Sequence, residues 1–382
     1  MKAILLVALL GVACGGGTPG APSSGAEPPR TRVFVHPGLI NTRAELDRIK
    51  AAVNGSAAHP MKAGWNVLRS TSQASLSYRA TPFAIVHVEG SGSTGEENAL
   101  RNDAVAAYAH ALQWVVTGDA AHAQKAIQIL DAWSAMLQDI VPTAGSPGVQ
   151  DELEAAWYAP MWLAAAEILR DYGASGWTAA QQQPFDARMV ALFQTKAMAW
   201  AGSTGCCPNQ GISVALSRMS IGVYRDDRAT FDSGLRHVRD TMLPRAISSD
   251  GEVLELNRTA GGDCGHAAYN IEGLFDAAEI AWHQGVDLYD HRLAGDASPR
   301  LAMGLEGLSQ CILSGVGTSQ VGFVRCGSQK LNSVEIAFNH YANRRGGVAL
   351  PQTTALLATL RPTNQGTSKF IPWDTLTHAE LR

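Results

Sequence analysis

Apolar residues recur at helical spacing along almost the whole chain. Thr42-x-x-Glu45 is a capping box, and Leu46, Ile49 and Val53 follow it on one face. A second helix, 59–68, carries Trp65. From Asn98 to Val116 the stripe is Leu100, Ala104, Ala107, Ala111 and Val115. Gly118 ends that helix and Asp119 caps the next, which carries Ile127, Leu130 and Leu137. So short a turn makes the pair an antiparallel hairpin. Further helices are predicted at 152–170, 178–200, 210–224, 227–242, 263–282, 301–313, 334–344 and 353–360. Residues 70–95 read as a long polar loop, and 314–328 as loop or hairpin. Strand signal is almost confined to a short arm near 251–257, where Val253, Leu254 and Leu256 interleave with Glu252 and Glu255. Amphipathic hairpins must bury their faces on neighbours, so the chain is all-α, an (α/α) toroid or a solenoid. No fixed-period repeat is visible.

One stretch concentrates chemistry. The arm ends in Asn257 and Arg258, a Gly261-Gly262 bend follows, and Asp263 stands at an N-cap position. His266 and Tyr269, three residues apart, share a face of the helix that begins there. Arg clamps carboxylates, and His or Tyr moves protons. The cluster fits a site for an acidic sugar. The plainer alternative is a packed loop with a capping Asp263 and a buried His266.

The same stretch resembles the alginate lyase superfamily, polysaccharide lyases with an (α/α) toroid catalytic domain. The resemblance rests on Asp250-Gly251, Glu255-Leu256-Asn257-Arg258, His266, Tyr269 and Gly285-Val286-Asp287-Leu288-Tyr289, and extends from about Phe34 to His378. It implies an incomplete toroid of antiparallel helix hairpins with a short β-arm near 251–257. It also implies β-elimination on a polyuronate, alginate or glucuronan-like, leaving an unsaturated uronate end. Such a reaction needs a neutralised carboxylate, a base for the adjacent proton and an acid for the departing oxygen. It calls for no metal or other cofactor.

Residue by residue, the resemblance assigns Asn209 and Arg258 to the carboxylate. His266 is the candidate for proton transfer or carboxylate binding, and Tyr269 and Tyr341 are the other candidates for base or acid. Gln210, Asn257, His340 and Arg344 are the expected substrate-binding residues. Gln210 departs from the branch that has Asn-His here, and Gly265 stands where that branch has its catalytic Tyr. Tyr341 belongs to a late Asn339-His340-Tyr341-x-Asn343-Arg344 signature, which equally fits a packed structural network around Glu335. Two other classes compete. A toroid glycoside hydrolase would need a facing carboxylate pair from Glu252, Glu255, Asp263 and Glu272. A non-catalytic glycan binder would use Trp157, Tyr158 and Trp162 as a stacking platform. Elimination gives Glu252 and Glu255 no chemical role, so their amide variants are expected to be mild.

A net charge of -4 without a basic run excludes a nucleic-acid binder, though a local cationic cluster can still grip a polyanion. Residues 1–13 read as a signal peptide, with Lys2 ahead of an apolar core from Ile4 to Val12. Cys14 stands at a lipoprotein-type cleavage site, although Gly11 departs from the usual pattern. Residues 14–32 form a Gly/Pro/Ser-rich tether, and 33–382 the toroid domain. The expected location is periplasmic, outer-membrane-anchored or secreted. Cys311 and Cys326 flank one loop and are the expected disulfide; Cys264 would pair with Cys206 or Cys207. No CxxC pair or His-x-x-x-His spacing marks a zinc site. Lipidation predicts that Cys14→Ser releases the protein from the membrane fraction; a variant that stays equally membrane-bound excludes it.

Overall fold

Helices start where a side chain can take up the free N–H groups of the first turn. The computed structural model describes residues 32–90, 92–200, 207–315, 317–319, 322–324, 326–327, 329–363 and 369–381. The signal segment, Cys14, the tether through residue 31 and Cys206 lie outside the described residues. Thr42 and Glu45 form the capping box of α1 (Arg43–Asn54), and His59 caps α2 (Pro60–Ser70). Thr94 caps α3 (Gly95–Thr117), which Gly118 ends in the left-handed region at φ 72°. Glycine takes that conformation without a Cβ clash. Asp119 accepts the Ala121 amide at 2.9 Å and opens α4 (Ala120–Met136), completing the first hairpin.

The chain continues through α5 (Gln150–Glu167), α6 (Ala179–Pro184), α7 (Ala191–Ala199), α8 (Pro208–Arg225), α9 (Arg228–Arg236) and α10 (Leu243–Ala246). Then follow α11 (Cys264–His283), α12 (Arg300–Ser314), α13 (Val334–Phe338), α14 (Pro351–Leu360) and α15 (Asp374–His378). Helices α3, α5, α8 and α11 are buried on almost every face and pack against one another in that order. Their outer neighbours are α4, α7, α9 and α12 respectively. Two concentric layers of hairpins make the all-α, incomplete (α/α) toroid. The layers meet closely: a Cβ on Gly222 of α8 would stand 2.4 Å from the Phe231 backbone nitrogen of α9.

Three expectations change. The arm at 251–257 is not a strand. One antiparallel bridge joins Ile247 to Val253, and Leu254–Arg258 is a turn of 3₁₀ helix. The alternation misleads because Glu255 points inward, 3% exposed, rather than toward solvent. The stretch read as a polar loop holds β1 (Ile85–Val88), which pairs in parallel with β2 (Asp139–Pro142). Val86, Val88 and Ile140 bury this two-stranded patch against the helices. Finally, the disulfide joins Cys264 to Cys326, whose Cα atoms are 5.6 Å apart, and Cys311 is a buried free thiol. Cys207 is also disulfide-bonded. Cys311 nonetheless lies within 4.8 Å of both bridged sulfurs, so the chain does bring Cys311 and Cys326 together, although the bridge goes to Cys264.

The middle of α11 buries carboxyls at 272 and 276. The Asn332 amide donates to Glu272 at 2.6 Å, and Ser333 and the Ile371 amide donate to Asp276. Burial still pushes Glu272 up to about 8 and Asp276 up to about 7. A carboxyl raised in the folded state contributes stability that is complete below its unfolded value and lost as pH rises through the folded one. Heat unfolding should therefore show wild-type stability falling between about pH 4.5 and 8. Glu272→Gln, which keeps the acceptor oxygen, should flatten that decline by a few kcal/mol, because each tenfold change in a proton equilibrium is worth about 1.4 kcal/mol. Parallel pH profiles for the two proteins would contradict the assignment.

Candidate active site

The site is built where α8 and α11 begin. Cys207, in the left-handed region at φ 65°, turns the chain into α8, with Pro208 as its first residue. Asn209 follows, 1% exposed. Its side-chain amide donates to one Glu255 oxygen, and its backbone N–H donates to the other at 3.1 Å. Asn270, on α11, donates to that second oxygen at 2.6 Å and to the His266 carbonyl at 3.1 Å. One buried carboxylate thus fixes two amides. Burial raises Glu255, while the Asn270 and Asn209 hydrogen bonds pull against that shift. The Oδ1 atoms of Asn209 and Asn270 have no hydrogen-bond partner among the described residues.

Asp263 organises the second half of the site. It caps α11 by accepting the His266 amide at 3.1 Å. The same carboxylate lies 2.9 Å from His266 Nδ1 and 3.5 Å from Arg258 Nη1. A carboxylate on Nδ1 favours the tautomer with hydrogen there, which leaves Nε2 as the basic nitrogen. The His266 side chain is 36% exposed and that of Arg258 37%, so both face the open side. Tyr269 packs edge-on against His266, ring centroids 5.6 Å apart. Behind Tyr269 stand Trp157 at 6.4 Å and Phe370 at 5.9 Å. Gln210 is half-buried beside Asn209. Asn257 donates to Glu252 at 3.3 Å, below the arm.

The structure brings together Asn209, Arg258, His266 and Tyr269 through Glu255, Asn270 and Asp263, while Gln210 and Asn257 adjoin them in the chain. It does not bring Tyr341, His340 and Arg344 to them. These three gather around Glu279, and from His266 to Glu279 α11 rises roughly 20 Å. Tyr341 is fully buried, donates to the Tyr289 carbonyl at 2.7 Å and packs on Phe275. His340 is fully buried and stacked 3.7 Å from the Tyr289 ring. Burial drops it to about 4. Arg344 is engaged by Glu279, at 2.7 and 2.6 Å, and by Glu45 at 2.6 Å. The late signature is a structural network in which His340 and Arg344 gather near Glu279, while Glu335 pairs with Arg361.

The competing constellations also dissolve. Glu255 is buried and occupied by two amides, and Glu272 is buried and accepts a backbone amide, so both serve the packing of the helices. Tyr158 and Trp162 are fully buried and Trp157 is 7% exposed, which leaves no broad stacking platform on α5. Asn270 is a site residue that the sequence pattern does not single out, and Glu255, read there as a motif residue and a hydrolase candidate, serves as the anchor of two amides. Asn270 lies four residues after His266, hence on its face, and that spacing is the available signal.

Comparison with known proteins agrees with this fold. The fold resembles the solved alginate lyase from Bacteroides ovatus, with TM-score 0.63 and 15% identity over 91% of this chain and 100% of that one. It also resembles alginate lyase A1-III from Sphingomonas species A1, with TM-score 0.56 and 17% identity over 84% and 97%. A chondroitin AC lyase from Streptomyces coelicolor A3 matches at TM-score 0.50 and 13% identity, over 88% of this chain and 48% of that one. No curated protein matches the sequence significantly. The family model "Alginate lyase" matches residues 64–302, more than half of the chain. The chain therefore belongs to the alginate lyase family and is a polysaccharide lyase, a carbon–oxygen lyase.

Proposed function

We propose that the protein cleaves a polyuronate, alginate or glucuronan-like, by β-elimination, and that Cys14 tethers it to the outer membrane. One observation carries the reaction: a single carboxylate, Asp263, holds both His266 and Arg258 at the start of α11. Arg258 is permanently cationic and suits the substrate carboxylate. A second hydrogen of the Asn209 amide can share that load, since Glu255 takes only one. Neutralising the carboxylate acidifies the adjacent C–H and stabilises the enolate that forms. His266 Nε2 takes the C5 proton. Tyr269, in contact with the His266 ring, protonates the departing 4-oxygen. The C4–O4 bond breaks as the C4=C5 double bond forms, and no water enters the product.

Incubation with a panel of polyuronates, followed by ultraviolet absorbance of the unsaturated end, tests the reading. Arg258→Ala should lower turnover by roughly two or more orders of magnitude, as for other lost transition-state donors. Its exposed side chain fills no core space, so the melting temperature should hardly move. A product that gains water and carries no double bond would replace elimination by hydrolysis.

Glu255→Gln is expected to be damaging, contrary to what the sequence alone implies. Its carboxylate accepts from three N–H groups, and an amide NH2 would face one of them. Turnover should fall about tenfold or more as Asn209 loses its setting. Wild-type kinetics in that variant would show that Asn209 needs no such anchor.

A further inference from the structure

Lys369 reaches the site from the far end of the sequence. Its neighbours fix it: Phe370 is buried with its ring over Gly273 of α11, and the Ile371 amide donates to Asp276 at 3.1 Å. The Lys369 ammonium lies 3.2 Å from the centroid of Trp157 and 5.8 Å from that of Tyr269. Tyr269 is the residue that touches His266. The ammonium therefore stands one aromatic ring away from the proposed base.

Its electrostatic setting is unusual. Burial works against its charge and lowers it from the usual lysine range, while Glu154 on α5 and Glu97 on α3 attract it and Arg101 repels it. Yet among the described residues Lys369 makes no hydrogen bond and no ion pair; its contacts there are the two ring faces. An ammonium has three hydrogens to donate, and π faces satisfy it only in part. Burial pushes Glu154 up to about 7, so near neutrality it is a weak counter-ion. The lysine is half-buried, so a ligand can reach it. Its ammonium hydrogens are thus available to an anionic acceptor on a ligand.

We propose that Lys369 recognises the carboxylate of the uronate sugar neighbouring the cleaved one, with Trp157 and Tyr269 as the shelf that holds the ammonium in place. This rests on the polyuronate reading above and assigns that substrate a second anionic contact, separate from Arg258 and Asn209. Lys369 is thus a specificity residue: it selects chains with consecutive uronates over chains in which a neutral sugar adjoins the cleavage point.

The test compares wild type, Lys369→Met and Lys369→Arg. Calorimetry measures binding of a saturated oligouronate, which cannot be confused with turnover, and of its methyl ester, which has the same shape without charge. Lys369→Met should weaken oligouronate binding roughly tenfold or more, as for a lost charge-assisted contact. It should leave ester binding unchanged, and Lys369→Arg should recover most of the loss. In cleavage assays the methionine variant should raise KM by a similar factor with kcat nearly kept. Equal weakening of acid and ester would mean a merely structural lysine, and unchanged binding of the acid would overturn the proposal outright. Charge-selective binding without any unsaturated product would keep the Lys369 site and defeat the lyase mechanism. Failure of wild type to bind the oligouronate would defeat both.

Discussion

The fold is closed by one buried carboxylate. Glu279, on the last half of α11, receives Arg344, His378, Tyr289 and His283. Glu45 of α1 joins through the same Arg344 and through His283 at 3.0 Å. Burial alone would push Glu279 up and His283 down; the Arg344 charge, with His283, holds Glu279 well below the carboxylate range, and Glu45, with Glu279, holds His283 up at about 10. Buried charges are tolerable only when paired and hydrogen-bonded on most sides. The first helix, the central helix and the last helix therefore have one arrangement in which all these groups are satisfied. That arrangement sets the axis of α11, and with it the position of everything carried at its other end.

The same device recurs at the active site on a smaller scale. Glu255 fixes two amides, and Asp263 fixes an imidazole and a guanidinium. In each case a carboxylate orients its partners. This explains why the acidic residues of the segment look, in the sequence, like candidates for hydrolase chemistry. Two acids close in sequence serve two different sets of partners.

Helices and hairpins are legible in the sequence because their signals are local. A cap such as Asp119, a left-handed Gly118 and a stripe of alanines all act within a few residues. The cluster of Arg258, His266 and Tyr269 is legible for the same reason. What stays hidden depends on distant partners. Glu255 reads as the polar half of an alternating arm until Asn209 is brought against it. Tyr341 and Arg344 lie in a recognisable motif, but only the course of α11 shows that the motif sits at the opposite end. β1 is four residues long and finds its parallel partner β2 across the whole of α3 and α4. Lys369 has no nearby pattern at all; the Trp157 it rests on comes from a different third of the chain.

The Glu279 knot also orders events during synthesis. Chains emerge N-terminus first and fold in segments as they appear. Glu45 and Glu279 are both made well before His378, the last of their partners. Until α15 is in place, Glu279 lacks one of its partners, whereas the partners of Glu45 all precede α15 in the chain. Loop closure over nearly the whole domain is entropically costly and comes late. The knot that sets the axis of α11 is thus completed by α15, far along the chain from the arm that carries Arg258.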